Sequence, residues 1–98
     1  MMFQIQLTHS AENCWARDEH DGKAAEFVAR IEDAEESFGV SVQNAVVAPP
    51  EHTFFLLVES ETYESLTGFL GGPALQDHEA DIVPVTTLRG ALDTLELE

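Results

Sequence analysis

The residues best suited to chemistry are four histidines and the only cysteine of the chain, namely His9, His20, His52, His78 and Cys14. Imidazole nitrogen and thiolate sulfur are donors that zinc, copper and iron accept in proteins. Their spacing matches no local metal-binding motif, because no two of them stand in a C-x-x-C or H-x-x-x-H pattern. A metal site would therefore have to be assembled by the fold from distant segments.

The hydrophobic pattern of the first half predicts a strand, a loop and a helix. Residues 3–8 alternate strictly between apolar and polar side chains, which is typical of a half-buried strand. Residues 10–21 are polar and irregular and are predicted to form a long loop. In residues 22–38 apolar side chains recur every three or four positions, which predicts a helix. Asp21 is its expected N-cap, and Gly39 is the left-handed residue expected to end it.

The second half predicts three more strands, at residues 40–48, 53–58 and 82–85. Ser60 is the expected N-cap of a second long helix, which is predicted to end at the Gly-Gly-Pro sequence of residues 71–73. A brief C-terminal helix is expected after Thr86 or Thr87.

The order of these elements predicts an α+β fold with ferredoxin-like βαββαβ topology, in a single domain over residues 1–98. Such a fold has a four-stranded antiparallel sheet with two helices on one face. Right-handed crossovers place the first and third strands at the centre of the sheet and the fourth strand at an edge. Pro84 agrees with an edge strand, because proline cannot donate to a central ladder.

This topology brings the connections that carry the histidines and the cysteine to one end of the sheet. His9, Cys14 and His52 are the best candidate metal ligands there, so a transition metal is a candidate cofactor. Two other interpretations stay open for the histidines: they stand in loops only because loops are polar, or they serve a pocket for a small molecule. A further interpretation makes Cys14 a nucleophile with a histidine as its base.

The sheet also predicts a homodimer with a ligand cavity. The third strand has apolar side chains on both faces, whereas the helices cover one face only. A second copy is expected to cover the other face and to enclose a partly polar cavity. The predicted ligand-binding residues are Gln4, Gln6, Thr8, His9 and His52. The alternatives are an interface without a ligand, and a monomer whose C-terminal segment covers the open face.

Nearly the whole chain resembles the dimeric α/β-barrel superfamily, small ferredoxin-like domains whose sheets pack face to face. More narrowly, the segments QIQLTH at 4–9, ENC at 12–14, PPEHT at 49–53 and DIVPVT at 81–86 are similar to an uncharacterised family of small prokaryotic proteins of that type. The superfamily includes cofactor-free monooxygenases, haem-degrading enzymes, lactone isomerases and ligand-sensing domains, so the fold leaves the chemistry open.

The resemblance implies a small-molecule-binding or sensor-like domain with a pocket at the homodimer interface and an unidentified ligand. The alternative is a small enzyme, either monooxygenase-like or metal-assisted through His9, His52 and Cys14. None of the catalytic residue sets of those enzymes matches positions of this chain. A third hypothesis is a purely structural dimer that serves another protein.

The charge balance limits the kinds of partner that this chain can bind. Nineteen Asp and Glu residues against four Lys and Arg residues give a formal net charge of −15. So few basic residues exclude a patch that neutralises phosphates, which argues against nucleic-acid binding and against docking on anionic lipid. The acids suit either a surface for a basic partner or a protein adapted to high salt. Because they are spread along the chain and lysine is nearly absent, the sequence favours the halophilic interpretation.

A chain adapted to high salt should be more stable when its self-repulsion is screened. We therefore expect the melting temperature to rise between low and molar sodium chloride, as measured by differential scanning fluorimetry. A melting temperature that stays constant or falls over that range would contradict the halophilic interpretation.

A single cysteine cannot form an internal disulfide, which favours a reducing compartment. The sequence also lacks the basic and apolar regions of a secretory leader, and it has no apolar run of about 18 residues. A cytoplasmic protein is expected.

Overall fold

The structure is a computed structural model that describes residues 1–96, so the end of the predicted 1–98 domain lies just outside the described residues. It is an α+β fold with a four-stranded antiparallel sheet. The strands are β1 (Met2–Thr8), β2 (Ser41–Ala48), β3 (Thr53–Glu59) and β4 (Glu79–Val85). The helices are α1 (Lys23–Glu32), α2 (Ala34–Phe38), α3 (Tyr63–Asp77) and α4 (Leu88–Leu95). Three 3-10 turns lie between them, at Ala11–Asn13, Asp18–His20 and Pro49–Glu51.

The strands lie in the order β2-β3-β1-β4, and every neighbouring pair is antiparallel. β1 and β3 are therefore central and β4 is an edge strand, as the sequence predicts. Ile5 of β1 stands opposite Leu56 of β3 on one side and Ile82 of β4 on the other. The edge position of β4 tolerates Pro84, which would cost a ladder hydrogen bond in a central strand.

The alternation of β1 places its apolar side chains on the helix side of the sheet. Ile5 and Leu7 are fully buried there, and Leu56 of β3 is buried beside them. They pack in one cluster with residues of the helices, including the fully buried Phe69 and Leu70 of α3. Because side chains alternate along a strand, Gln4, Gln6 and Thr8 lie on the opposite face.

The helix predicted over 22–38 is divided into α1 and α2 at Asp33, whose backbone angles (φ −94°, ψ 2°) leave the helical region. Aspartate is a weak helix former, because its short carboxylate competes for backbone hydrogen bonds. The expected N-cap was wrong by one residue: Gly22 (φ 86°), not Asp21, precedes α1. Gly39 ends α2 in the left-handed conformation, which confirms that prediction.

The second long helix starts two residues later than predicted and is followed by a helical segment that the sequence did not predict. Thr62, not Ser60, is the N-cap of α3, and its hydroxyl accepts a hydrogen bond from the Ser65 amide. Ser60 is used instead to close the turn, since its hydroxyl donates to the Thr62 carbonyl. The helix is interrupted where the sequence predicted its end, because Gly71 (φ 71°, ψ 177°) leaves the helical region, but a second helical segment follows at once and continues to Asp77.

The C-terminal helix α4 starts as predicted, with the Thr87 hydroxyl accepting from the Gly90 amide. The sheet face opposite the core reaches solvent at both edge strands, where Val46 is 53% exposed and Val83 is 45% exposed. Phe55 and Leu57 of β3 lie on that same face and are half-buried. Among residues 1–96, no helix combines the length and the apolar character needed to cross a membrane.

Candidate metal centre

Two backbone features place the imidazoles of His9 and His52 side by side. His9 directly follows β1, and its amide donates to the His52 carbonyl at 3.0 Å. His52 ends the turn Pro49–Glu51 in the left-handed conformation (φ 53°, ψ 42°), which reverses the chain into β3. As a result the two ring centroids are 5.1 Å apart.

The predicted metal ligands His9, Cys14 and His52 come together, with one donor atom of each lying within 4.8 Å of the others. His9 Nε2 and His52 Nδ1 are 3.2 Å apart. Two nitrogens that each lie about 2.05 Å from a tetrahedral zinc ion are about 3.3 Å apart, so this pair already has the spacing of two ligands. A nitrogen and a sulfur on the same ion are about 3.6 Å apart, so Cys14 needs a shift of roughly 1 Å at most.

A third histidine, His78, fixes the orientation of His9. The Ala74 carbonyl can only accept, so His78 Nδ1 carries a hydrogen and donates to it at 2.9 Å. In the neutral ring His78 Nε2 is then an acceptor, and it receives the hydrogen of His9 Nδ1 at 3.1 Å. This leaves the lone pair of His9 Nε2 aimed at His52. Metal-binding histidines usually have their other ring nitrogen held in this way.

Burial keeps these two rings neutral. Desolvation lowers the pKa of His9, and the neighbouring His52 lowers it further. Desolvation also lowers the pKa of His78, although its bond to the Ala74 carbonyl acts in the opposite direction. Neutral imidazole is the form that binds metal, so the lowered pKa of His9 reduces competition from protons.

These shifts predict how the metal-free protein responds to acid. Because the folded-state pKa values of His9 and His78 lie below the ordinary value, their neutral rings stabilise the fold fully above about pH 6.5. That stabilisation is lost as the pH falls through the lowered folded-state values. Urea unfolding between pH 7.5 and 5.0, in molar salt to screen the acidic surface, should show a falling free energy of unfolding. A constant or rising value would contradict the assignment of neutral rings.

The loop that carries Cys14 is tied to the end of α3 through one carboxylate oxygen. Asp77 Oδ2 accepts hydrogen bonds from the indole of Trp15 at 2.9 Å and from the ammonium of Lys23 at 2.8 Å. These donors lower the pKa of the Asp77 carboxyl group, the lysine having the larger effect. The ammonium of Lys23 also lies 2.9 Å from Nδ1 of His20. Cys14 is therefore held by its neighbour Trp15 and by the same helix end that positions His9.

Trp15 is part of the core, although it stands in the loop between β1 and α1. Its side chain is buried, and its ring contacts the rings of Phe27, Phe54 and His78. These contacts attach the loop to the core, so Trp15 does not act as a mobile cover over the site. The loop itself contains two 3-10 turns where the sequence predicted irregular backbone.

An apolar pocket opens beside the three candidate ligands. Its volume is about 260 Å³. Besides His9, Cys14 and His52, its walls are formed by Trp15, Ala16, Ala24, Val47, Pro49 and Phe54. A metal held by three protein ligands would thus have an apolar space next to any vacant coordination position.

The predicted ligand-binding residues do not form one group. Gln4, Gln6 and Thr8 lie on the solvent face of β1, whereas His9 and His52 lie at its end on the helix side. Gln6 and Thr8 line a separate pocket together with residues 79–81 of β4.

Sequence reasoning placed His78 at the correct end of the sheet but gave it no role, and it did not identify Asp77. Both residues stand at the end of α3, beyond the point where Gly71-Gly72-Pro73 was expected to end that helix. The helical segment after the kink at Gly71 places Asp77 and His78 at the site. In the sequence, the only feature that could have pointed to these two residues is that Asp77 and His78 are adjacent.

We expect His78→Ala to weaken zinc binding by about 10- to 100-fold, the usual effect of losing an outer partner of a metal-bound histidine. His78→Gln should restore most of the affinity, because a glutamine can accept from His9 and donate to the Ala74 carbonyl. Competition with a chromophoric chelator measures both variants. Wild-type affinity in the alanine variant would show that His78 does not orient His9.

Comparisons with known proteins give no family. The chain matches no protein-family model and no curated protein sequence.

Proposed function

We propose that this chain is a metal-dependent small-molecule-binding domain, in which His9, Cys14 and His52 hold one transition-metal ion. The observation that carries the proposal is the convergence of three donor atoms within 4.8 Å of one another, from residues 9–14 and from the distant His52. The hydrogen-bonded His78 supports it, because it supplies the outer shell that metal-bound histidines have.

The donor set favours a soft or borderline ion. Two imidazoles and one thiolate suit zinc, and also copper or iron, better than magnesium or calcium, which prefer oxygen ligands. Sites with three protein ligands keep one coordination position for water or a substrate, whereas structural zinc sites have four protein ligands. An open position beside an apolar pocket therefore favours ligand binding, and it is also the feature that favours the second candidate, a small metal-assisted enzyme.

The proposal includes a ferredoxin-like fold and a homodimer of the dimeric α/β-barrel type. The strand order β2-β3-β1-β4 and the half-buried Phe55 and Leu57 on the solvent face of the sheet support it. Gln4, Gln6 and Thr8 would then line the space between the two sheets. Sedimentation at micromolar concentration, in molar salt, should give twice the monomer mass of 10.8 kDa. A monomer under these conditions would remove the interface pocket.

The metal is tested on protein purified without a histidine tag and reconstituted with zinc. We expect one zinc ion per subunit by elemental analysis, and a melting temperature that falls when the ion is removed by a chelator. The matched control is Cys14→Ser, which keeps the size of the side chain but removes the thiolate, and should bind zinc more weakly. Less than about 0.2 zinc per subunit with unchanged melting on chelation would overturn the proposal.

A further inference from the structure

Apart from the three candidate metal ligands, all side chains that line the pocket are apolar or have their polar atom already hydrogen-bonded. Its remaining side chains are those of Trp15, Ala16, Ala24, Val47, Pro49 and Phe54. The only polar side-chain atom in this set, the indole Nε1 of Trp15, already donates to Asp77. None of these six side chains therefore offers a ligand a hydrogen bond, and the His9–Cys14–His52 centre is the one side-chain anchor of this pocket.

The size of the pocket limits the ligand. Its volume of about 260 Å³ exceeds the roughly 150 Å³ that holds one benzene molecule. It is below the range of about 300–1,000 Å³ that is usual for drug-sized ligands. One ring or a short branched chain fits, with the indole of Trp15 and the ring of Phe54 as its contact surfaces.

The charges near the pocket disfavour an anionic group in its apolar part. The two basic side chains nearest Cys14 in the chain, Arg17 of the loop and Lys23 at the start of α1, are paired with Glu19 and Asp77. Glu51 precedes His52 at the opposite wall, and the whole chain carries a formal net charge of −15. A charged group in the apolar part of the pocket, away from the metal, would have no compensating side chain.

We infer that the open coordination position takes a small molecule that joins one metal-binding donor atom to one uncharged, apolar ring or short chain. This inference rests on the proposed metal site. The donor atom occupies the position that the three protein ligands leave vacant, and the apolar part lies between Trp15, Phe54 and Ala24.

The test uses the full chain loaded with Co²⁺, whose thiolate charge-transfer band first reports that Cys14 binds the metal. Imidazole and 4-phenylimidazole are then titrated against the visible spectrum, since both offer one neutral nitrogen and differ by one apolar ring. We expect 4-phenylimidazole to bind at least about tenfold more tightly, because its ring is removed from water. An analogue with a carboxylate on the phenyl ring should bind more weakly than 4-phenylimidazole.

Two variants of α1 make the test specific. Ala24→Leu fills the pocket and should abolish the preference for 4-phenylimidazole, whereas Ala25→Leu changes the neighbouring exposed alanine outside the pocket and should keep it. Both should bind Co²⁺ as the wild type does. Equal affinities for the two imidazoles in the wild type, or a saturated Co²⁺ spectrum that neither probe changes, would overturn the inference and leave the metal site intact. A wild type without a thiolate band on Co²⁺ addition would overturn the metal site as well.

Discussion

His9→Ala is expected to weaken zinc binding by more than about 100-fold, beyond the 10- to 100-fold effect of losing an outer-shell partner. The variant removes one of three ligands and also the ring that connects His52 to His78. It breaks both hydrogen bonds of that chain of imidazoles, so the orientation of His52 is lost too. Competition with a chromophoric chelator measures the affinity, and unfolding of the metal-free variant separates lost binding from lost folding.

The matched control is His20→Gln. His20 lies in the same loop region as Cys14 and is hydrogen-bonded, but it is not one of the three clustered donors. Glutamine retains a donor and an acceptor, so zinc affinity should stay within about threefold of the wild type. If His9→Ala bound zinc as tightly as His20→Gln does, the assignment of His9 as a ligand would be wrong.

Gly71→Ala should lower the free energy of unfolding by about 2–4 kcal/mol, a large part of the total for a small domain. Gly71 has φ 71° and ψ 177°, a region that residues with a Cβ atom rarely adopt. An added Cβ atom would lie 2.6 Å from Nη2 of Arg30. That guanidinium cannot move freely, because it donates to the carbonyls of Phe69 and Gly68.

Gly72→Ala is the control for this variant, because a Cβ atom there meets nothing within 4 Å. Because Gly72 precedes Pro73, which disfavours helical backbone for a residue with a Cβ atom, we expect no gain in stability but a much smaller loss than in Gly71→Ala. Urea unfolding of the two metal-free variants gives the comparison. Equal stabilities would show that the kink does not depend on glycine. Because the kink carries Ala74 and His78 to the site, Gly71→Ala should also weaken zinc binding.

The strands and their order were predictable because each strand has a strong local pattern. The strict alternation of β1 indicates which side chains enter the core, and Ile5 and Leu7 are indeed fully buried. Pro84 is separate evidence, independent of the hydrophobic pattern, that β4 is an edge strand. The helix ends were less predictable, because Asp21 and Ser60 are as good N-caps by residue type as the caps the structure uses.

The metal candidates were predictable only as a consequence of topology. His52 is distant in the chain from His9 and Cys14, and only the pairing of β1 with β3 brings the two histidines together. The roles of His78 and Asp77 depend on the course of α3 after Gly71. The Gly-Gly-Pro sequence does interrupt the helix, at Gly71, but it gives no sign of the helical segment that follows, and contacts of Arg30 with the Gly68 and Phe69 carbonyls stabilise the kink between the two segments. Such contacts between distant residues cannot be predicted from the local sequence.

The most direct test of the account is X-ray absorption spectroscopy of the zinc-loaded protein at the zinc edge. The account predicts one sulfur at about 2.3 Å, two imidazole nitrogens at about 2.0–2.1 Å, and one further light atom. A coordination shell of nitrogen and oxygen without sulfur would contradict it, because Cys14 is the only cysteine that can supply the sulfur.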